Sequence, residues 1–267
     1  MKRVFFLSVV FCLLWSAVTN CQVVVTTTSL KAVVTEIAEN TLSVDVLVAS
    51  GLCPGHADVS IEKMALLEKS SLFLAHGFEP YLSRLEKSVR QMEKKKRLII
   101  LEGNWQIPSV HRQAARLVAE VLTDYFPEKR TVFRKNLEKL DAFLSAFETR
   151  VLKQVREKGL QGVAVISNVH LTDLLGFLGL RVVGSYGTRE ELTPSLMAEL
   201  VRKGQAAGVR MVIDNLQAGP DTGRGLAEEL KAAHLVFSNF PEGESLPALL
   251  ERNLKELFHV FRMSGQP

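Results

Sequence analysis

Near the middle of the chain, residues 127–158 carry a helical pattern that divides two sets of strand-and-helix units. Phe133, Leu137, Leu140, Leu144, Phe147, Val151 and Val155 recur at steps of four and three, so one stripe faces protein while Lys135, Glu138, Lys139 and Arg150 stay in water. At about 1.5 Å per residue such a helix reaches roughly 48 Å, enough to run down two lobes instead of capping one. A bundle helix or coiled-coil arm is the competing reading, and the stripe is too short for a long zipper.

The flanking segments alternate short β-branched runs with longer helical patterns, which is the pattern of parallel sheets covered by helices. Strands are predicted at 23–27, 44–48, 72–75 and 98–101 before the long helix, and at 163–166, 181–184, 210–213 and 235–237 after it. The fold class is therefore α/β: two Rossmann-like lobes with parallel sheets, joined by one long connecting helix. The expected organisation is a signal peptide at 1–20, an N-terminal lobe at 21–126, the connecting helix at 127–158 and a C-terminal lobe at 159–267.

Lys2 and Arg3 followed by an apolar run from Val4 to Ala17 read as an export signal, since the run is too short to span a bilayer comfortably. Without Lys2 and Arg3, 31 of the 33 basic residues stand against 29 acidic ones. That surplus carries no nucleic-acid footprint, and the one dense basic run, Lys94 to Arg97, reads as a solvated helix end. Cys12 lies in the signal, leaving Cys21 and Cys53, too few for a disulfide framework. Two outcomes stay open at Cys21. It follows Val18, Thr19 and Asn20, a loose imitation of the box before a lipidated cysteine, and cleavage without lipid would give a soluble product beyond the membrane.

Open parallel sheets bind ligands at the carboxyl ends of their strands, which draws attention to five loops. These read Cys53-Pro54-Gly55-His56, Glu102-Gly103-Asn104-Trp105, Ser167-Asn168-Val169-His170, Asp214-Asn215-Leu216-Gln217 and Glu242-Gly243-Glu244. Together with Ala75-His76-Gly77-Phe78-Glu79-Pro80-Tyr81-Leu82 and Phe126-Pro127-Glu128, they make the chain similar to the metal-specific periplasmic solute-binding proteins of zinc and manganese ABC transporters.

That resemblance implies a Zn2+ or Mn2+ cargo held between the lobes, a membrane permease as partner, a periplasmic or extracytoplasmic location and a monomeric protein. It carries a first metal ligand onto His56. Trp105 and Pro108 match a family loop whose ligand histidine would fall on Gly103, so Glu102, Asn104 or water substitutes, or the site has fewer protein ligands. The third ligand falls on Asn168 by counting back from Gly179-Leu180, or on His170 if the helix is shorter, His170 being the better transition-metal donor. The last falls on Glu244. Trp105 would wall the cleft and Asp214 would line it.

Each assignment has a plainer counterpart: His56 as a surface histidine, Cys53 as an inert buried thiol instead of an added ligand, His170 as a packing residue, Glu244 as a first-turn acid favoured by the helix dipole. His76, His111, His234 and His259 read as surface or packing residues. Two other functions remain open, the same fold holding a metal chelate or small organic solute, and a metal-dependent hydrolase. For the hydrolase the sequence offers no nucleophile elbow, no His-Glu-x-x-His pair and no nucleotide loop.

Overall fold

The computed structural model describes residues 22–55 and 57–263. The export-signal and lipidation readings, with Cys21, lie outside the described residues, as does His56. The first sheet is built from β1 (Val23–Val25), followed by helix α1 (Thr28–Ala38), then β2 (Val44–Val46), α2 (Ile61–Lys69) and β3 (Leu72–Ala75). Helices α3 (Leu82–Ser88) and α4 (Met92–Lys95) precede β4 (Lys96–Leu98), and α5 (Pro108–Tyr125) leads to the long helix α6 (Arg130–Glu157). The second sheet follows as β5 (Ala164–Asn168), α7 (Thr172–Phe177), β6 (Arg181–Tyr186), α8 (Pro194–Ala207), β7 (Met211–Asn215), α9 (Arg224–Leu230), β8 (Ala233–Phe237) and α10 (Leu246–Met263).

Both sheets are wholly parallel, in the orders β2-β1-β3-β4 and β6-β5-β7-β8. The same order twice means the same crossover connections twice, so the carboxyl ends of the central strands in each sheet carry the loops best placed to meet a ligand. Val23, Val24 and Val25 are fully buried, as are all five residues of β7, which is what strands covered by helices on both faces require.

The long helix starts three residues later than its sequence pattern, because Pro127–Lys129 form a 3-10 turn. Its stripe serves two cores. Phe133, Leu140 and Leu144 pack with α1 and α5 under the first sheet, whereas Phe147, Val151 and Val155 pack with α7 and α10 under the second. Asn136 is buried within that stripe, where its Nδ2 donates to the Ile37 carbonyl at 3.0 Å. Helix α10 bridges in the same way, Leu246 and Leu249 joining the first core, Leu250 and Leu254 the second.

The edge strand β4 departs from expectation. It occupies Lys96–Leu98 instead of 98–101, because the basic run is split: Lys94 and Lys95 close α4, while Lys96 and Arg97 enter the sheet. An edge strand packs on one neighbour only, here β3, and tolerates lysine.

Candidate functional site

A cavity of about 530 Å3 opens where the strand ends of the two sheets face each other. Its construction starts at β3, whose last residue, Ala75, delivers His76 to the wall. The turn after it is held by the buried carboxylate of Glu79, which accepts from the His76 amide at 3.0 Å and the Gly77 amide at 2.8 Å. The imidazole stacks on Phe78 with ring centroids 5.1 Å apart and meets Trp105 edge-on at 4.6 Å. Its Nε2 lies 2.9 Å from Oγ1 of Thr27, and the same hydroxyl oxygen caps α1 by accepting from the Leu30 amide at 3.2 Å. Burial pushes the His76 pKa down to about 4 against the opposing pull of Glu79, so the ring is neutral at pH 7.

The loop before α5 supplies Gly103, Asn104 and Trp105. Gly103, at φ +96°, presents no side chain where the sequence resemblance would place a histidine. Asn104 turns its amide across the gap, donating from Nδ2 to Asn239 Oδ1 at 2.8 Å. Gln106 is buried beside it. Its Nε2 donates to the Ser238 carbonyl at 3.0 Å and to Asn239 Oδ1 at 3.2 Å, and its Oε1 accepts from Asn253 Nδ2 at 2.8 Å. From the second sheet, Gln217 reaches back to donate to the Ser50 carbonyl at 2.7 Å. Neutral amides thus tie the lobes together behind the cavity.

Of the residues singled out from sequence, Cys53, Asn104, Trp105 and His170 line the cavity. Cys53 is a half-buried free thiol. His170 is exposed on the opposite wall, and its carbonyl accepts from Asn239 Nδ2 at 3.0 Å.

The others are placed elsewhere. Asn168 is buried, with both ends of its side chain engaged: Oδ1 caps the turn at 169–171 by accepting from the His170 amide, and Nδ2 donates to the Gly187 carbonyl at 2.9 Å. Glu102 is exposed outside the cavity wall. Glu244 also stands outside that wall, ion-paired with Arg252 at 2.8 Å and accepting from the Glu242 amide at 2.7 Å.

Asp214 corrects the expectation of a cleft-lining acid. It is fully buried, accepting from the Tyr186 hydroxyl at 2.7 Å and from the Gly223 amide, and it pairs with His234 Nε2 at 2.7 Å. Successive strand residues face opposite sides, so Asn215 meets the cavity and Asp214 turns away from it. Burial, together with the Asp214 charge, drives the Tyr186 hydroxyl far above its ordinary pKa, which keeps it a donor.

His76 corrects the opposite expectation, for it was read as a surface or packing residue and stands in the cavity wall. His111, bonded to Glu36 at 2.6 Å, and His234 do pack in the interior, and His259 is exposed. Sequence reasoning also missed Asp173, Asn215, Gln217, Asn239 and Phe240. The signal available for Asn239 was its place two residues past β8, whereas attention fell further on, at Glu244. Among the described residues, no cluster of three or more His, Cys, Asp or Glu side chains is arranged to hold a metal ion.

Known proteins agree with this architecture. The chain resembles the crystal structure of ZnuA at a TM-score of 0.77 and 15% identity, covering 91% of this chain and 99% of that one. It is also similar to the Mn-bound periplasmic metal binding protein of Candidatus Liberibacter asiaticus at a TM-score of 0.75 and 12% identity, with 90% and 99% covered. The Cd-bound form of that protein aligns at 0.74 and 14% over the same shares. At such identities the likeness shows the fold alone. No curated protein matches the sequence. A family model, zinc-uptake complex component A, periplasmic, matches residues 23–259, and the chain therefore belongs to that family of solute-binding transport components.

Proposed function

We propose that this chain works outside the cytoplasm as the substrate-binding component of a metal-ion ABC transporter, receiving Zn2+ or Mn2+ in the cavity between its sheets and handing it to a membrane permease. It is a binding component and not an enzyme. The observation that carries the reading is the cavity itself: both lobes build it, and the imidazole of His170 and the thiol of Cys53 open onto it. Imidazole and thiolate are donors suited to zinc and its neighbours. His56 follows Gly55, a residue of the cavity wall, in the chain, and completes the proposed donor set. Asn168 as the alternative to His170, and Glu244 as a further ligand, would each first have to give up its present partners. The protein acts as a monomer, either free or held to the membrane through Cys21.

The reading is tested by thermal unfolding of the purified mature protein, stripped with chelator and then given zinc or manganese chloride. Binding to the folded state alone adds RT ln(1 + [L]/Kd), about 2.7 kcal/mol at a hundredfold excess over Kd. The stabilisation should vanish when His56→Ala and His170→Ala are combined. Equal melting with and without every ion, in the unaltered protein, refutes the reading.

A further inference from the structure

The amides that line the cavity have spent their oxygens. Asn239 Oδ1 accepts from Asn104 and Gln106; Gln217 Oε1 accepts from Asn215 and the Asn239 amide; Asn104 Oδ1 accepts from the Gln106 amide; and Asn215 Oδ1 accepts from the Ala218 amide. A carboxamide nitrogen carries two hydrogens. Asn104, Asn215 and Asn239 each use one, toward Asn239, Gln217 and the His170 carbonyl respectively. Each therefore keeps one amide hydrogen without a partner among the described residues. A wall presenting N–H groups attracts acceptor atoms and is the wrong polarity for a naked cation. Asp173, itself exposed, is the one carboxylate among the described residues of the wall.

The remaining surface is aromatic. Trp105 is buried against neutral His76, Phe240 lies on the far side, and Phe78 stands 60% exposed at the rim. A volume of about 530 Å3 falls within the range of sites for small organic molecules, roughly 300 to 1,000 Å3. A single ion with its coordinating atoms leaves most of that space to water.

We propose that the cargo enters this cavity as a metal–organic complex, a divalent ion already partly coordinated by a small polydentate carboxylate or amino-acid chelator. The inference rests on the metal-transport reading and specifies its substrate class. The chelator brings its own anionic donors, which lowers the charge that must be desolvated. Its carboxylate edges accept from the spare amide hydrogens of Asn104, Asn215 and Asn239. Its carbon skeleton lies against Trp105 and Phe78, and His170, with Cys53, completes the coordination shell that the chelator leaves open.

The test is calorimetric titration of the metal-free mature protein with zinc chloride, manganese chloride, zinc–histidine and zinc–citrate complexes, and histidine or citrate alone. One or more complexes should bind at one per chain and at least tenfold tighter than the free ion. Phe78→Ala, at an exposed rim position, should weaken the complex by roughly three- to tenfold and leave free-ion binding unchanged. Free ions binding as tightly as every complex, or Phe78→Ala weakening both alike, overturns the proposal and leaves metal transport standing. Binding of the organic molecules without metal, or no binding of any metal form, removes both.

Discussion

Gln106→Ala measures how strongly the lobes are tied behind the cavity. The side chain is 2% exposed and makes three hydrogen bonds across the gap: two from Nε2, to the Ser238 carbonyl and Asn239 Oδ1, and one received at Oε1 from Asn253. A buried intramolecular hydrogen bond is worth about 1 kcal/mol net, and an abandoned partner costs more. The partners here are not wholly abandoned. The Ser238 carbonyl keeps Asn253 Nδ2 at 3.0 Å, and Asn239 Oδ1 keeps Asn104. Three bonds lost, with little added penalty for orphaned groups, give a destabilisation of about 3 kcal/mol. In a chain of this size each 1 kcal/mol moves Tm by about 2 to 4 °C, so the expected fall is about 6 to 12 °C. Urea unfolding followed by circular dichroism should show a lower midpoint at unchanged slope, since the surface exposed on unfolding is the same. The paired variant, Gln106→Ala with Asn253→Ala, should cost less than the two singles added, by about 1 kcal/mol, because they share one bond. A loss below about 1 kcal/mol for Gln106→Ala would mean that water replaces the tie without penalty and that the amide network does not hold the lobes.

Three further perturbations probe the surroundings. Gly223→Ala would place a methyl group against the Tyr186 hydroxyl and 2.8 Å from Val212 Cγ1, displacing the donor to Asp214; a loss of about 2 to 3 kcal/mol in urea is expected, and a neutral result would show that the α9 entrance relaxes freely. Thr27→Ala removes both the cap on α1 and the hydroxyl beside His76, for about 1 to 2 kcal/mol, while Thr27→Ser should recover most of it. The depressed His76 pKa sets a pH dependence: between the unfolded value of 6.5 and the folded value of about 4, the unfolded chain binds the extra proton, so stability falls as pH drops through that window, by up to about 1.4 kcal/mol per unit, and His76→Gln should flatten the profile.

Periodicity made the fold legible. The stripe from Phe133 to Val155 and the β-branched runs fixed the elements because burial on one helix face or on both sheet faces leaves a mark in the sequence. The edge strand was misplaced because β4 is mostly exposed and reads as more of the basic run. The site was legible only as far as its loops. Within them, direction decides, and direction is tertiary: Asp214 and Asn215 are neighbours, yet one reaches Tyr186 and His234 inside the second lobe while the other lines the cavity. Glu244 carried the right chemistry, but Arg252, eight positions on and inside α10, holds it. His76 gave no signal because its role depends on Thr27, Phe78 and Trp105 arriving from three other points of the chain.

The shared helices limit how loading can be reported. A hinge between two lobes needs a connection that bends without disturbing either core, and α6 is not one: Leu144, in the first core, and Phe147, in the second, are one turn apart on a continuous helix. Bending there would open both cores, and α10 repeats the constraint with Leu249 and Leu250. Arg150 of α6 is further paired with Glu251 of α10 at 2.7 Å, so the two bridging helices are tied to each other. The groups free to respond are at the mouth of the cavity, on short connections with little burial: Phe78, His170 and Asp173. A permease that distinguishes loaded from empty protein must do so through differential contacts with groups that differ between the two states. On this architecture those are the rim side chains, and the lobes themselves stay in one arrangement.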